Sequence, residues 1–240
     1  MAGPNGSGKS TILQEVRKNF YSGPFVNADE IEKSFKEKGL VNLSAVYDLD
    51  VTDQSFVDFI NGTGNSWTQK AAKENSHISV SLSDGILIVK DKSSPYDAAL
   101  AADFIRYMLL IKGETFTFET VLSHKSKINF LKQSLEQGYK NYLYFICTID
   151  PAINIERVKQ RIKLGGHGVP EGKIEKRYSE SLELLPEVIQ VCYRVFLFDN
   201  SSEERNIEPV AEIDSSGKLI VRSEKLPWWV QDYVIKKLYS

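Results

Sequence analysis

The chain has 240 residues, 42% of them hydrophobic and 26% charged, with a formal net charge of −2. That balance suits one α/β domain with an insertion, or at most two small domains, and supplies enough apolar material for a proper core. It excludes a bulk basic field for non-specific nucleic-acid or membrane binding. The two cysteines, Cys147 and Cys192, both in apolar runs, favour buried free thiols over a disulfide framework or a metal site.

No apolar stretch is long enough to span a bilayer, and no signal peptide precedes the first motif, so a cytoplasmic protein is expected. That first motif opens the chain. Gly3-Pro4-Asn5-Gly6-Ser7-Gly8-Lys9-Ser10 fits G-x-x-x-x-G-K-[ST] at every defined position. Glycines let such a loop turn its amides inward as a nest for phosphate oxygens. Lys9 is placed to reach the β- and γ-phosphates and the Ser10 hydroxyl to bind Mg²⁺. Ile12, Leu13 and Val16 then recur at helical spacing, which sets the loop on a helix N-terminus. Such a loop normally hangs from a buried strand, yet only Met1 and Ala2 precede it. A start placed too late, a chain cut at an internal methionine and a natural shortening are the explanations. The first two are favoured, because apolar Met1 suits the last residue of that strand.

Gly23-Pro24 ends the first helix, and the short apolar Phe25-Val26 runs into Asn27-Ala28-Asp29-Glu30 and a helical IEKSFKEKG. Strand, polar residues at its carboxyl end, then helix is the order that places ligands at a parallel sheet edge. Asp29 reads as the helix N-cap on this segment alone, with a general base as the functional alternative. Residues 41–96 are rich in Asn, Ser, Asp and Gly and lose helical periodicity after VDFI. HISVSL and ILIVKD alternate around Ser83-Asp84-Gly85, a hairpin signal within an insertion. This insertion either touches substrate or a partner or is a decorated surface loop.

The core pattern resumes with a helix through SPYDAALAADFIRYMLLIKG, ended by Gly113, and a strand in ETFTFETVLS that ends at Glu119-Thr120. A helix stopped by Gly138 follows, then NYLYFICTI, whose continuous apolar run suits a strand covered on both faces. In ERVKQRIKLGGHGVPEGKIEKRY, Arg157 and Arg161 share a helix face. Gly165-Gly166 ends that helix, Pro170 starts the next in its first turn, and Lys173, Lys176 and Arg177 lie along the second. Two cationic helices joined by a glycine turn read as a lid over polyphosphate, since arginine forks bind phosphate oxygens in pairs. A solvated surface pair is the plainer alternative, and the phosphate loop upstream favours the lid. His167, in the turn, reads as structural. VFLFDNSS supplies another strand, PVAEI-DSSG-KLIVRS a second hairpin, and an amphipathic helix begins at Pro227. The expected fold is a three-layer P-loop NTPase with a mainly parallel sheet, a helical lid and a small β-hairpin insertion. It forms one domain over 1–240, with an insertion at about 41–96 and a C-terminal hairpin and helix at about 207–240.

AGPNGSGKST, NADEI, FETVLS and RVKQR-GGHGVPE-KRY, in that order, resemble the zeta-toxin-like P-loop kinases, in particular their bacterial predicted ABC-type ATPase branch. The resemblance covers roughly 1–40 and 97–202. It implies ATP and Mg²⁺ as cofactors, bound by Gly3, Pro4, Asn5, Gly6, Ser7, Gly8, Lys9, Ser10 and Thr11, with Asn200 at the adenine. It implies Asp29 as general base, with Lys9, Arg157, Arg161 and Arg177 stabilising the moving phosphoryl group. Acceptor binding falls to Asn27, Asp29, Glu119 and Thr120. Zeta toxins phosphorylate UDP-N-acetylglucosamine and are held in check by an antitoxin, so the implied partners are nucleotide, a small-molecule acceptor and an antitoxin protein. A nucleic-acid substrate is not expected at this charge. No LSGGQ-like signature follows the loop, which speaks against a transporter motor. An ATP-binding switch with little transfer activity is the alternative from another class.

Overall fold

The computed structural model describes residues 1–62, 65–90, 92–166, 168–202 and 209–239. His167 and the first two and the last positions of the expected 207–240 segment lie outside the described residues. The chain is mixed α/β and divides into two compact units, Tyr21–Glu119 and the combination of Met1–Phe20 with Thr120–Ser240.

The first helix, α1 (Lys9–Asn19), starts directly behind Gly8, whose φ of 96° needs glycine, and buries Ile12 and Leu13. The unit Tyr21–Glu119 opens with β1 (Phe25–Val26) and α2 (Ala28–Lys38). The N-cap of α2 is Asn27, whose side chain accepts from the Asp29 amide at 2.9 Å, so Asp29 lies in the first turn and is not the cap. Asn27 takes that place because it is the last residue with extended φ and ψ. Gly39, at φ 72°, closes the helix.

Short β2 (Leu40–Asn42) leads to α3 (Leu43–Tyr47), α4 (Asp53–Asn61) and α5 (Asn65–Lys73). The expected hairpin is β3 (Val80–Ser83) and β4 (Ile86–Val89), and β4 pairs antiparallel with β2 on its other edge. The segment 41–96 holds more regular structure than its polar composition signals. Its apolar residues pack into the unit's core rather than lying over it: Val41, Leu43, Phe56, Phe59, Leu82 and Leu87 are buried in one cluster with Ile31 and Phe35 of α2.

The centre of that cluster is α6 (Pro95–Lys112), capped by a Ser94/Asp97 box and closed by Gly113 at φ 79°. Phe104 meets the Phe56 ring edge-on at 4.9 Å and the Phe59 ring at 5.4 Å. After α6, β5 (Thr117–Phe118) pairs in parallel with β1. The Asp97 carboxylate does more than cap. It is fully buried and accepts from the amides of Ser79 at 2.7 Å, Val80 at 2.9 Å and Ser94 at 2.8 Å, besides the Ser94 hydroxyl.

In the other unit, α7 (Ser126–Glu136) precedes β6 (Tyr142–Cys147), and α8 (Pro151–Lys163) and α9 (Glu171–Ile189) precede β7 (Arg194–Asp199). Pro170 is the N-cap of α9 and stands just outside its first turn. Strands β6 and β7 run parallel, and the antiparallel hairpin β8 (Ala211–Ile213) and β9 (Leu219–Val221) extends the sheet from β7. A short α10 (Trp228–Val230) continues through π-helical Gln231–Ile235 into α11 (Lys236–Leu238). One sheet face, with Leu143, Phe145, Val195, Leu197 and Ile213, is buried in a cluster with Leu182, Leu185 and Val188 of α9 and with Trp229.

The opening residues hold a strand position in front of the loop. Ala2 forms parallel bridges to both Thr120 and Phe145, and Met1 and Ala2 are buried. Asp97→Ala removes a buried acceptor of five bonds and leaves their donors unmet, so it is expected to cost at least about 3 kcal/mol. A lowered urea midpoint, with faster amide exchange at Ser79 and Val80, is the measurement.

Candidate nucleotide site

The loop grows out of the sheet by backbone bonding. The Ala2 amide donates to Tyr144 O at 2.8 Å, and the Ile146 amide to Ala2 O at 2.9 Å. On the other side the Thr120 amide donates to Met1 O, and the Gly3 amide to Thr120 O. Gly3 then turns at φ 140°, where a Cβ would lie 2.0 Å from Ile146 O. No residue but glycine fits there.

Beyond that turn the loop's carbonyls are taken up by protein donors. Lys9 Nζ donates to Gly3 O and Pro4 O, each at 2.9 Å, with the side chain buried. Asn154 Nδ2, from α8, donates to Asn5 O at 2.7 Å. Asn200 Nδ2, at the end of β7, donates to Ser7 O at 2.9 Å. Gly8 O accepts from the amides of Thr11 and Ile12. The amides of Gly6, Gly8 and Ser10 donate to no acceptor among the described residues. Carbonyls turned into protein and amides left over make an anion nest. The Ser7 hydroxyl, fully buried, also has no hydrogen-bond partner among the described residues.

The residues behind the loop form a second layer. The Thr148 hydroxyl bonds the Asn154 carboxamide, and Tyr178 OH of α9 donates to Thr148 O at 2.5 Å. Burial pushes the Tyr178 phenol upward, so it stays a donor at all ordinary pH. Cys147, at the end of β6, is buried, and burial pushes its thiol up to about 12.

The expected cations separate by their partners. Arg157 Nη1 donates to Asn200 O at 2.7 Å, and Arg177 Nη1 to Asn5 Oδ1 at 3.2 Å, so both adjoin the loop. Arg161 is exposed near the end of α8, where its side chain packs by Gly166. An exposed Lys159–Glu171 pair at 2.9 Å links α8 to α9. Ser10 and Thr11 are exposed at the start of α1. Asn200 presents its carboxamide to the loop, with Nδ2 2.2 Å from where a Gly8 Cβ would stand.

The carboxylates belong to the unit Tyr21–Glu119. Asp29 is exposed in the first turn of α2 and Asn27 is half-buried as its cap. The Glu119 amide donates to Val26 O at 3.2 Å, which fixes Glu119 just beyond β5. Arg106 of α6, buried, pairs with Asp103 and lies 5.1 Å from the Phe118 ring centroid. Burial pulls this guanidinium down to about 9, still charged at neutral pH. Asp103 also accepts from Trp67 Nε1 at 2.5 Å. Thr120 belongs to the loop-bearing unit and pairs with Met1 and Gly3.

Among the described residues no group of three or more His, Cys, Asp or Glu could hold a metal ion, and no helix is long and apolar enough to cross a membrane. Asn154, Thr148 and Tyr178 went unseen in the sequence. Only the Asp150-Pro151 start signal of α8, which puts Asn154 one turn inside the helix, pointed towards them.

No protein-family model matches the chain. An uncharacterised protein of Haemophilus influenzae (strain ATCC 51907 / DSM 11121 / KW20 / Rd) is 29% identical over 122 residues, which is 49% of this chain and 86% of that protein. Among solved structures, a chain of the native AvrRxo1-ORF1:ORF2 complex matches with a TM-score of 0.58 at 16% identity. That match covers 99% of this chain and 64% of the other, so this chain spans just under two thirds of its solved neighbour. A chain from the PezAT chromosomal toxin-antitoxin system of Streptococcus pneumoniae matches at 0.47 with 14% identity, over 97% of this chain and 77% of that one. The first is a likeness of fold.

Asn200→Ala removes one neutral bond to Ser7 O and is expected to cost about 1 kcal/mol, read as a lowered urea midpoint. An unchanged midpoint would show that Asn200 does not hold the loop. The Cys147 thiol holds its proton more tightly folded than unfolded. Its contribution to stability is therefore complete below the ordinary value of 9.0 and declines towards about 12. Replacing Cys147 with alanine is expected to flatten the fall in urea midpoint over that alkaline range.

Proposed function

We propose that the protein is an ATP- and Mg²⁺-dependent phosphotransferase that moves the γ-phosphoryl group to a hydroxyl of a small molecule. The carrying observation is the glycine loop whose carbonyls are occupied by protein donors while the amides of Gly6, Gly8 and Ser10 are not. With Lys9 buried alongside, that loop fits a triphosphate.

Each role follows from charge and reach. The loop amides and Lys9 bind the β- and γ-phosphates, with Pro4, Asn5, Ser7 and Thr11 completing the loop. The exposed Ser10 hydroxyl fits Mg²⁺, a hard cation that needs few protein ligands when phosphates and water supply the rest. When bound it would neutralise phosphate charge. Arg157, Arg161 and Arg177 stabilise charge spread over the transferring group. Asp29 takes the proton from the acceptor hydroxyl, with Asn27, Glu119 and Thr120 binding the acceptor. We assign Asn200 to the adenine end through its carboxamide position beside Gly8.

The acceptor we propose is a nucleotide-activated sugar such as UDP-N-acetylglucosamine, as the resemblance implies, with an antitoxin as protein partner. Residues 1–240 act in this reading as one three-layer P-loop kinase domain in the cytoplasm. A second reading, a nucleotide-binding switch with little transfer, draws on the engagement of Lys9 and Arg177 by the loop's own acceptors and of Arg157 by the Asn200 carbonyl.

Incubation of the protein with ATP, Mg²⁺ and UDP-N-acetylglucosamine is expected to add the mass of one phosphate to the sugar nucleotide. Lys9→Ala is expected to lower the rate about 10²–10³-fold, and Asp29→Ala about 10²–10⁴-fold. Tight ATP binding with no product from any acceptor would favour the switch. Full activity in Asp29→Ala would remove the base assignment.

A further inference from the structure

We propose that Asn5 is a positioning residue, its carboxamide oxygen setting the guanidinium of Arg177 against the glycine loop. The inference rests on the phosphotransferase reading and deepens it. The Asn5 backbone is held first, because its carbonyl accepts from Asn154 Nδ2 at 2.7 Å. Asn154 is fully buried and bonded to the Thr148 hydroxyl. A Cβ on the neighbouring Gly6 would lie 2.5 Å from Asn154 O. The loop at Asn5 and Gly6 is therefore seated directly on α8.

From that fixed backbone Asn5 Oδ1 accepts from Arg177 Nη1 at 3.2 Å. The next residue of α9, Tyr178, is buried and donates to Thr148 O. Thr148 thus serves both sides, with its hydroxyl on Asn154 and its carbonyl on Tyr178. The contact between Asn5 and Arg177 closes a ring through Asn154, Thr148 and Tyr178. One residue of the loop in this way meets both α8 and α9.

The chemistry of the acceptor matters. A carboxamide oxygen orients a guanidinium without cancelling its charge, which stays available to an anion at the loop. A carboxylate at position 5 would hold the arginine more strongly, but it would also set a negative charge beside the amides of the nest. Asparagine gives direction at no electrostatic loss.

The test is a double-mutant cycle on Asn5→Ala and Arg177→Ala, with Asn5→Asp as the conservative variant. In steady-state phosphoryl transfer each single change is expected to lower kcat about a hundredfold. The double change should lose no more than the worse single one, and KM for ATP should move less than threefold. Asn5→Asp should recover most of kcat while raising KM for ATP. Additive losses in kcat, or wild-type kcat in Asn5→Ala, would overturn the proposal. Melting temperatures of the same proteins without nucleotide give a readout independent of turnover. Additive shifts overturn the positioning whatever the enzyme does. Non-additive shifts in a protein that phosphorylates nothing support the positioning and remove the phosphotransferase reading.

Discussion

The site depends on four backbone hydrogen bonds made by the first three residues. Met1, Ala2 and Gly3 exchange amides and carbonyls with Thr120 on one side and with Tyr144 and Ile146 on the other. This short stretch is an interior rung of a parallel ladder, and a parallel ladder fixes direction as well as place. The chain leaves it at Gly3, where a side chain would strike Ile146 O, and enters the loop at the carboxyl end of β6. Ligands gather at that end in α/β sheets because helix N-termini and loop amides converge there.

Within the loop, charge sign follows from hydrogen-bond accounting. Each peptide unit brings one donor and one acceptor, and burial demands that both be met. Asn154, Asn200, Lys9 and the turn of α1 consume the acceptors of Gly3, Pro4, Asn5, Ser7 and Gly8. What remains for a ligand is mostly donor. A net charge of −2 over the whole chain is therefore no obstacle to binding an anion, since the field at the loop is set by oriented dipoles and one buried ammonium within a few ångströms. The two asparagines are uncharged, so they fix the loop without adding a competing charge.

The glycine loop, the stop signals at Gly113 and Gly138, both hairpins and the apolar runs of β6 and β7 were legible in the sequence because each rests on local chemistry. A positive φ, a capping box or a period of two is a property of a few neighbouring residues. The helix Asn65–Lys73 was not legible, since its polar surface conceals a periodicity that is settled by packing along α6. Strand β2 was missed because its pairing with β4 joins residues far apart in sequence. The cap of α2 fell to Asn27 rather than Asp29 through a difference of two positions that only φ and ψ decide. At the loop, the motif told which residues turn inward. It could not tell that Asn154 and Thr148 stand behind them, because a buried carboxamide in a helix looks the same in sequence whether it serves a loop or a neighbouring turn.

Lys9 shows how these constraints combine. A buried ammonium without partners costs several kcal/mol, and here the carbonyls of Gly3 and Pro4 offset that cost. They are partial charges on the loop that the lysine itself belongs to, so the same contacts that keep the cation buried keep the loop folded. A phosphate chain offers full charges in their place, but it must shed its own water to do so. That exchange is favourable only where further donors replace the lost water, and the amides of Gly6, Gly8 and Ser10 are such donors. Lysine and amides therefore act as one unit, each making the other's contribution worth its desolvation. The arginines stand differently. Arg157 and Arg177 sit on helices outside the loop and reach it through an asparagine each, one by backbone and one by side chain. Their position reports the conformation of the loop, and a cation placed in that way strengthens binding only when the loop is already in its anion-ready shape.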